Sequence, residues 1–462
     1  MKFARRSICL IFSASLAACT STNPDRAPRP SVTAEGRFTT AVAADVATET
    51  VASDWWRLFA DSALESHVQR ALSANTDLRA AIANLDTARA SQRLAHAAQT
   101  PATVIESGAG PERADRQPST SSVPKTSYEL GVTAAYEIDL FGRLRAASRA
   151  AHAEAEASTA LRDTVRVAVI ADTVAAYLDY CTAKASRKVA EDLVGIQQRS
   201  VGLVAHQLAQ GEVSELEQAQ SLAALESARA ALPPLEADQS RALFRLATLQ
   251  GMTPAVAESL RPACETPPLI MGPVAVGDGA ELIARRPDIR EAEHRLAAAT
   301  DRINVATADL YPRIMLGGSA GRISGGWDGI LTPLITWSFP NQSAARAKIA
   351  AAKGTQAAAL AAWDAALLRA LREVETAIVD YRSERERSQR LDAALKESDK
   401  AMHRAEARFR LGADNYLLVL DAQRTQGNLS LQLAASRGRI AQLQVQLLRA
   451  LGAGWENSDT QS

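Results

Sequence analysis

Tyr128-Glu129-Leu130-Gly131-Val132-Thr133-Ala134-Ala135-Tyr136-Glu137-Ile138-Asp139 alternates apolar with polar or small residues. Such a period of two over about twelve residues marks a β-strand with two unlike faces. The length suits a transmembrane strand of about 9–11 residues, one face to lipid and one to water; a soluble hairpin is the competing reading. The chain beyond this strand is of another kind. No proline occurs between Pro124 and Pro233, and none after Pro340. Proline costs about 3 kcal/mol inside a helix, so its absence over such spans predicts long helices. One is expected from near Arg145 to Gly211, on the order of 100 Å at about 1.5 Å per residue. No compact domain needs a helix of that length.

The pattern occurs twice. Asp77, Arg79, Leu85 and Pro101 return as Asp288, Arg290, Leu296 and Pro312, each 211 positions later. Arg145, Gly211, Leu246 and Gly251 return as Arg346, Gly412, Leu447 and Gly452, each 201 positions later. The change of offset falls between Pro101 and Arg145, so one variable segment is shorter in the second half. Each half reads as a helix, a hairpin, a very long helix and a returning helix. Further strands are expected at roughly 102–110, 313–323 and 330–339. Val374, Ile378 and Tyr381 form an apolar stripe at helical spacing between charged faces, which favours coiled-coil packing. Pro233-Pro234 interrupts the first returning helix where the second half has Ala434-Ala435.

Two hairpins supply four strands, and four cannot close a membrane barrel. An open sheet in hydrocarbon leaves backbone groups unpaired at several kcal/mol each. Several chains must therefore share a barrel. Two give eight strands with a filled interior; three give twelve and leave a lumen.

The N-terminus assigns the compartment. Lys2, Arg5 and Arg6 precede a short apolar run, Ile8 to Ala18, too short to span a bilayer. It ends in Leu16-Ala17-Ala18-Cys19, which resembles the bacterial lipobox, in which cleavage precedes the cysteine and the thiol takes a lipid. Thr20 stands where an inner-membrane retention aspartate would be, so that rule directs the chain to the outer membrane. Cys181 and Cys264 remain in the mature body. An oxidising setting permits a disulfide between them; two free, buried cysteines are equally open.

In this order, several motifs resemble the TolC-like outer-membrane factors, in particular their OprM- and NodT-like lipoprotein branch: Asp54-Trp55-Trp56-Arg57-Leu58-Phe59, Tyr136 to Arg143, Arg285-Arg286-Pro287-Asp288-Ile289, Gly412-Ala413-Asp414-Asn415-Tyr416-Leu417 and Asp421-Ala422-Gln423-Arg424. The resemblance covers nearly the whole mature chain. It implies a mainly α fold with a transmembrane β-barrel, built as a trimer with twelve strands and an α-helical periplasmic tunnel. It implies a periplasmic adaptor and a proton-driven inner-membrane transporter as partners, and passive export of small molecules such as drugs. The expected organisation is a lipoprotein signal peptide (1–18), a lipidated tether (19–53), a first repeat (54–252; hairpin about 102–140, tip turn about 208–220), a linker (253–280), a second repeat (281–455; hairpin about 313–340, tip turn about 409–423) and a tail (456–462).

A duct must close when idle, and rings of charge at a constriction can gate a pore. The turns at Gly211 and Gly412 lie at the ends of the long helices. By position in the motif, Asp414 and Tyr416 are the expected gate ring, with Asp421 and Arg424 as nearby polar constraints. Glu212, Glu215 and Glu217 are the acidic candidates on the first turn. Gly211, Ser214, Gly412 and Asn415 are the expected adaptor-docking tip. The competing reading makes all of these solvated turn residues.

Other classes fit poorly. The 52 basic and 52 acidic residues balance, with no basic block for a nucleic acid. His67, His96, His152, His206, His294 and His403 form no metal-binding pair, and Gly108-Ala109-Gly110 lacks the rest of a phosphate loop. No enzyme, cofactor or metal is expected. A structural periplasmic coiled-coil lipoprotein would explain the helices and the anchor but not the repeated strands. An outer-membrane duct for protein secretion is the other alternative.

Overall fold

The computed structural model describes residues 27–29, 38–39, 46–47, 52–111, 126–323 and 326–455. Cys19, the signal segment, most of the tether and the tail lie outside them. The chain divides into two compact units, one built on 83–160 and 289–366, the other on 32–82, 161–288 and 367–462.

The first half runs β1 (Val46–Ala47), a 3-10 turn (Trp55–Phe59), α1 (Ser62–Ala74), α2 (Thr76–Ala97), β2 (Ala102–Pro111), β3 (Thr126–Ile138), α3 (Arg143–Ala209), α4 (Glu215–Ala230) and α5 (Leu232–Leu249). After β4 (Val274–Ala275) the second half repeats the order: α6 (Gly279–Arg285), α7 (Pro287–Ala308), β5 (Arg313–Ile323), β6 (Gly326–Thr336), α8 (Ser343–Arg410) and α9 (Tyr416–Ala450). The returning helix is broken into α4 and α5 at Pro233-Pro234, which occupy the first turn of α5, whereas α9 is continuous. The last strand departs from expectation: β6 spans Gly326–Thr336 and not 330–339. Gly326 already pairs with Ile323, and Trp337 leaves the ladder because its Nε1 donates to Leu310 O at 3.0 Å.

In the first unit the strands form one antiparallel sheet in the order β2-β3-β5-β6. Each hairpin pairs within its own half, and β3 joins β5 from Ile138↔Ile314 to Glu129↔Ile323. Register then fixes the faces. Ile105, Leu130, Val132, Leu316, Leu331 and Ile335 share one face, and all are exposed. Glu106, Thr133, Glu137, Ser319 and Thr332 share the other, interspersed with Val104, Met315, Ile330 and Leu334. Where β3 runs into α3, Asp139 accepts from Leu144 N at 3.1 Å and Arg145 N at 2.9 Å, capping the helix start. Arg149–Asp301 and Arg302–Glu154 tie α3 to α7.

In the second unit α3 lies antiparallel to α9. Gln442 Nε2 donates to Ala175 O at 2.8 Å, Gly438 faces Thr182, and Gly427 faces Leu193. Both halves close in the same way. Asn75 Nδ2 donates to Leu249 O at 2.9 Å, and at the equivalent position of the second half Arg286 Nη1 donates to Ala450 O at 2.8 Å. Gly251 and Gly452 follow these carbonyls at φ +68° and +69°; an added Cβ would strike Ala74 O in one and Arg286 Cγ in the other. Among the described residues no helix is long and apolar enough to cross a membrane.

His67 is buried here beside Tyr177, with Gln250 Nε2 3.0 Å from its Nδ1. Burial holds the ring neutral, lowering its pKa from 6.5 to about 4. A group depressed in the folded state contributes fully above its unfolded pKa and loses that contribution as pH falls towards the folded one. Stability is therefore expected to fall between pH 6.5 and 4, by about 3 kcal/mol for a shift of this size. Melting curves of wild type and His67→Phe at several pH values check this: the pH-dependent part must shrink in the variant.

Candidate functional site

Both tip turns are built alike from their residues upward. Gly211 stands at φ +76° and Gly412 at φ +68°, a conformation that costs other residues a Cβ clash. Around them Glu212 N donates to Gln207 O, and Ala413 N to Arg408 O, both at 2.9 Å. These bonds satisfy the last carbonyls of α3 and α8. The chain then caps the next helix. Glu217 Oε2 accepts from Ser214 N at 2.7 Å at the start of α4, and Asn415 Oδ1 accepts from Leu418 N at 3.4 Å at the start of α9.

Their chemistry differs. Glu212 and Glu215 are exposed on the first turn and Glu217 is half-buried. On the second, Arg408 binds Asp414 through Nε at 2.5 Å and Nη2 at 2.9 Å. The guanidinium holds the Asp414 carboxyl below the usual carboxylate range. Asp421 and Arg424 are exposed one and two turns into α9.

Tyr416 does not stand beside them. It is buried, stacked at a tilt on Phe409 with ring centroids 5.7 Å apart, among Val204, Ala224, Val419 and Leu420. Burial pushes its phenol up. Within one chain it fills the tip of the helix pairs and does not face open space. The helical period explains this: Tyr416, Val419, Leu420 and Gln423 share one stripe of α9, and that stripe is the buried one.

Gln423, which the sequence marks only as part of a motif, has a structural part at the tip. It is buried and donates to Ser200 Oγ at 3.0 Å and Glu406 Oε1 at 3.2 Å, while Gln197 Nε2 donates to its Oε1 at 3.4 Å. It joins α3, α8 and α9 by a polar contact in an otherwise apolar stripe. Its place on the Tyr416 stripe is the signal in the sequence that points to it. Farther from the tip, Cys181 and Cys264 are joined in a disulfide with Cα atoms 5.7 Å apart.

Comparison with known proteins places this architecture. The chain matches the family profile described as outer membrane efflux protein over residues 67–252 and 280–453. It is 31% identical over 417 residues to the outer membrane protein OprJ of Pseudomonas aeruginosa, covering 87% of this chain and 86% of that one. It is 30% identical over 420 residues to the toluene efflux pump outer membrane protein TtgC of Pseudomonas putida, covering 87% and 85%. The solved structure of the outer-membrane channel OprN superposes with a TM-score of 0.86 at 32% identity, covering 95% of this chain and all of that one. With the profile spanning both halves, the chain belongs to the outer membrane efflux protein family.

Proposed function

We propose that three copies of this chain close one twelve-stranded barrel and form the outer-membrane duct of a tripartite efflux pump. Small molecules pass through it without coupling of their own, and the energy comes from a proton-driven inner-membrane transporter reached through a periplasmic adaptor. The observation that carries the reading is the four-stranded sheet. One face carries the exposed side chains of Ile105, Leu130, Val132, Leu331 and Ile335, and among the described residues the outer edges of β2 and β6 have no strand beside them. Joining β6 of one chain to β2 of the next satisfies both edges and leaves none in the membrane. Lipidation at Cys19 would add an anchor. The sheet also favours a channel over a purely structural lipoprotein, which has no use for it.

The two tip turns, at Gly211, Ser214, Gly412 and Asn415, are the adaptor-docking surface in this reading, and the second turn holds the gate. Asp414 and Arg408 form its polar latch, with Asp421 and Arg424 close by. The burial of Tyr416 gives it a different part, supporting the turn from behind. The two residues therefore separate in a test. In planar bilayers Asp414→Ala is expected to raise single-channel open probability several-fold with the melting temperature unchanged. Tyr416→Ala is expected to lower stability by about 3 kcal/mol, the cost of a core aromatic-to-alanine cavity. No conductance from well-folded wild-type protein would sink the channel reading. Conductance indifferent to Asp414→Ala would move the gate away from the second turn.

A further inference from the structure

The segment between the two halves is fastened to both of them within a few residues. Cys264 is bonded to Cys181 of α3, and both cysteines are buried. At Ile270 the backbone N donates to Gln444 Oε1 at 3.0 Å and the carbonyl accepts from Gln444 Nε2 at 2.9 Å. Gln444 lies on α9, is buried, and also reaches Tyr381 Oη of α8 at 3.3 Å. Pro267-Pro268 lies between the two anchor points, so the span is stiff and cannot pay out slack. Just beyond, Val274–Ala275 pairs with Val46–Ala47.

The two anchors sit at matching heights. At 1.5 Å per residue Cys181 is about 45 Å from Gly211 along α3, and Gln444 is about 48 Å from Gly412 along α9. The same level carries the tight contact of α3 with α9, where Gln442 meets Ala175 and Asp179, and Gly438 meets Thr182. Towards the tip polar side chains interrupt the apolar packing. The Gln423 cluster lies there, and the buried Oε1 atoms of Gln197, Gln207, Gln220 and Gln426 have no hydrogen-bond partner among the described residues. Buried amides left unpaired weaken the packing between helices at this end.

We propose that the linker is a tie whose two anchors, the Cys181–Cys264 disulfide and the Gln444 clamp, set the pivot from which α3 and α9 splay, and so limit how far the tip opens. Cys181, Cys264 and Gln444 are positioning residues: they touch no transported molecule and act through the helices they hold. The inference rests on the tip being the gate. Reduction releases the first anchor once local opening exposes the buried sulfurs. A dithiol attacks one sulfur, forms a mixed disulfide and closes on itself; it leaves as a cyclic disulfide, and Cys181 and Cys264 each regain a hydrogen.

The test is open probability of the purified full-length protein in planar bilayers. Wild type, Cys181→Ser/Cys264→Ser, Gln444→Met and Asp414→Ala are compared, each with and without dithiothreitol. Released thiols are counted by maleimide labelling, and trimer integrity is followed by gel. Both tie variants are expected to raise open probability about fivefold or more, within the usual range of coupling between sites. Dithiothreitol is expected to raise wild type likewise, once thiols are released, and to leave the double-serine variant unchanged. Intact tie variants that gate like wild type, while Asp414→Ala still opens the channel, would overturn the pivot and leave the tip gate standing. Tie variants that open the channel while Asp414→Ala does nothing would keep the tie and remove Asp414 from the gate. If the double-serine variant fails to assemble, Gln444→Met and reduced wild type decide, since both start from a natively folded, oxidised chain.

Discussion

Replacing Arg286 with alanine is expected to destabilise the protein by about 3 kcal/mol, at the lower end of the range for breaking a buried ion pair. Arg286 is buried and serves three partners at once. Nε and Nη2 grip the Asp288 carboxylate at 2.9 and 2.8 Å, and Nη1 reaches both Glu373 Oε2 and Ala450 O at 2.8 Å. Desolvation opposes its charge, but these partners outweigh it, and the guanidinium pKa is raised. Removal leaves the last carbonyl of α9 without its donor and two carboxylates close together. Asp288 and Glu373 are partly exposed, which keeps the cost from the upper end of that range. Arg286→Lys is expected to fall between wild type and alanine, because a point charge on a flexible stem cannot reproduce the fork. Asn75→Ala at the equivalent position is expected to cost about 1–2 kcal/mol, since Asn75 caps α2 through Asp77 N and Leu78 N as well as holding Leu249 O. Thermal melts in detergent at one fixed scan rate rank the variants. An Arg286→Ala protein that melts like wild type would show that the closure of the second half does not depend on this residue.

Gly438→Val is expected to do comparable damage for a steric reason. A Cβ at Gly438 would lie 2.1 Å from Thr182 Cγ2 and 2.4 Å from its Oγ1. Thr182 cannot swing away freely, because it is β-branched and its hydroxyl donates to Leu178 O at 2.7 Å. Overpacking of this kind costs about 1–3 kcal/mol, and valine sits at the upper end of that range. Alanine at 438 is expected to be milder, since its better helix propensity returns about 1 kcal/mol. The double change Gly438→Ala/Thr182→Ala is expected to recover only part of the loss, because the methyl and hydroxyl are gone while the Cβ of residue 182 still lies 2.8 Å away. Gly354 in α8 is the control: nothing lies within 4 Å of an added Cβ there, so Gly354→Ala is expected to be neutral or stabilising. If Gly438→Val and Gly354→Ala melt alike, α3 and α9 do not pack in this register.

The long helices were legible because their evidence is local. Proline-free spans, helix-ending glycines at 211 and 412, and the period of β3 each depend on neighbours a few residues away. The duplication was legible for the same reason, since it repeats local choices at fixed offsets. At the tip the local signals reach less far. The turn itself is encoded by Gly412 and Asn415, but whether Tyr416 faces outward or inward depends on Val204 and Ala224, which lie roughly two hundred residues away in the chain. Charge marks Asp421 and Arg424 in the sequence, whereas the part of Gln423, which bridges three helices, depends on Ser200, Gln197 and Glu406.

The sequence by itself determined the elements, their order, their twofold repetition and the alternation that gives the sheet an apolar face, because each is written in short-range periodicity and backbone preference. Only the tertiary structure decided that β3 joins β5 across the two halves, that Cys181 meets Cys264, that Arg286 closes α9 and that Gly438 admits Thr182. Those pairings are settled by which distant surfaces fit when the chain folds back on itself, and no local propensity carries that information.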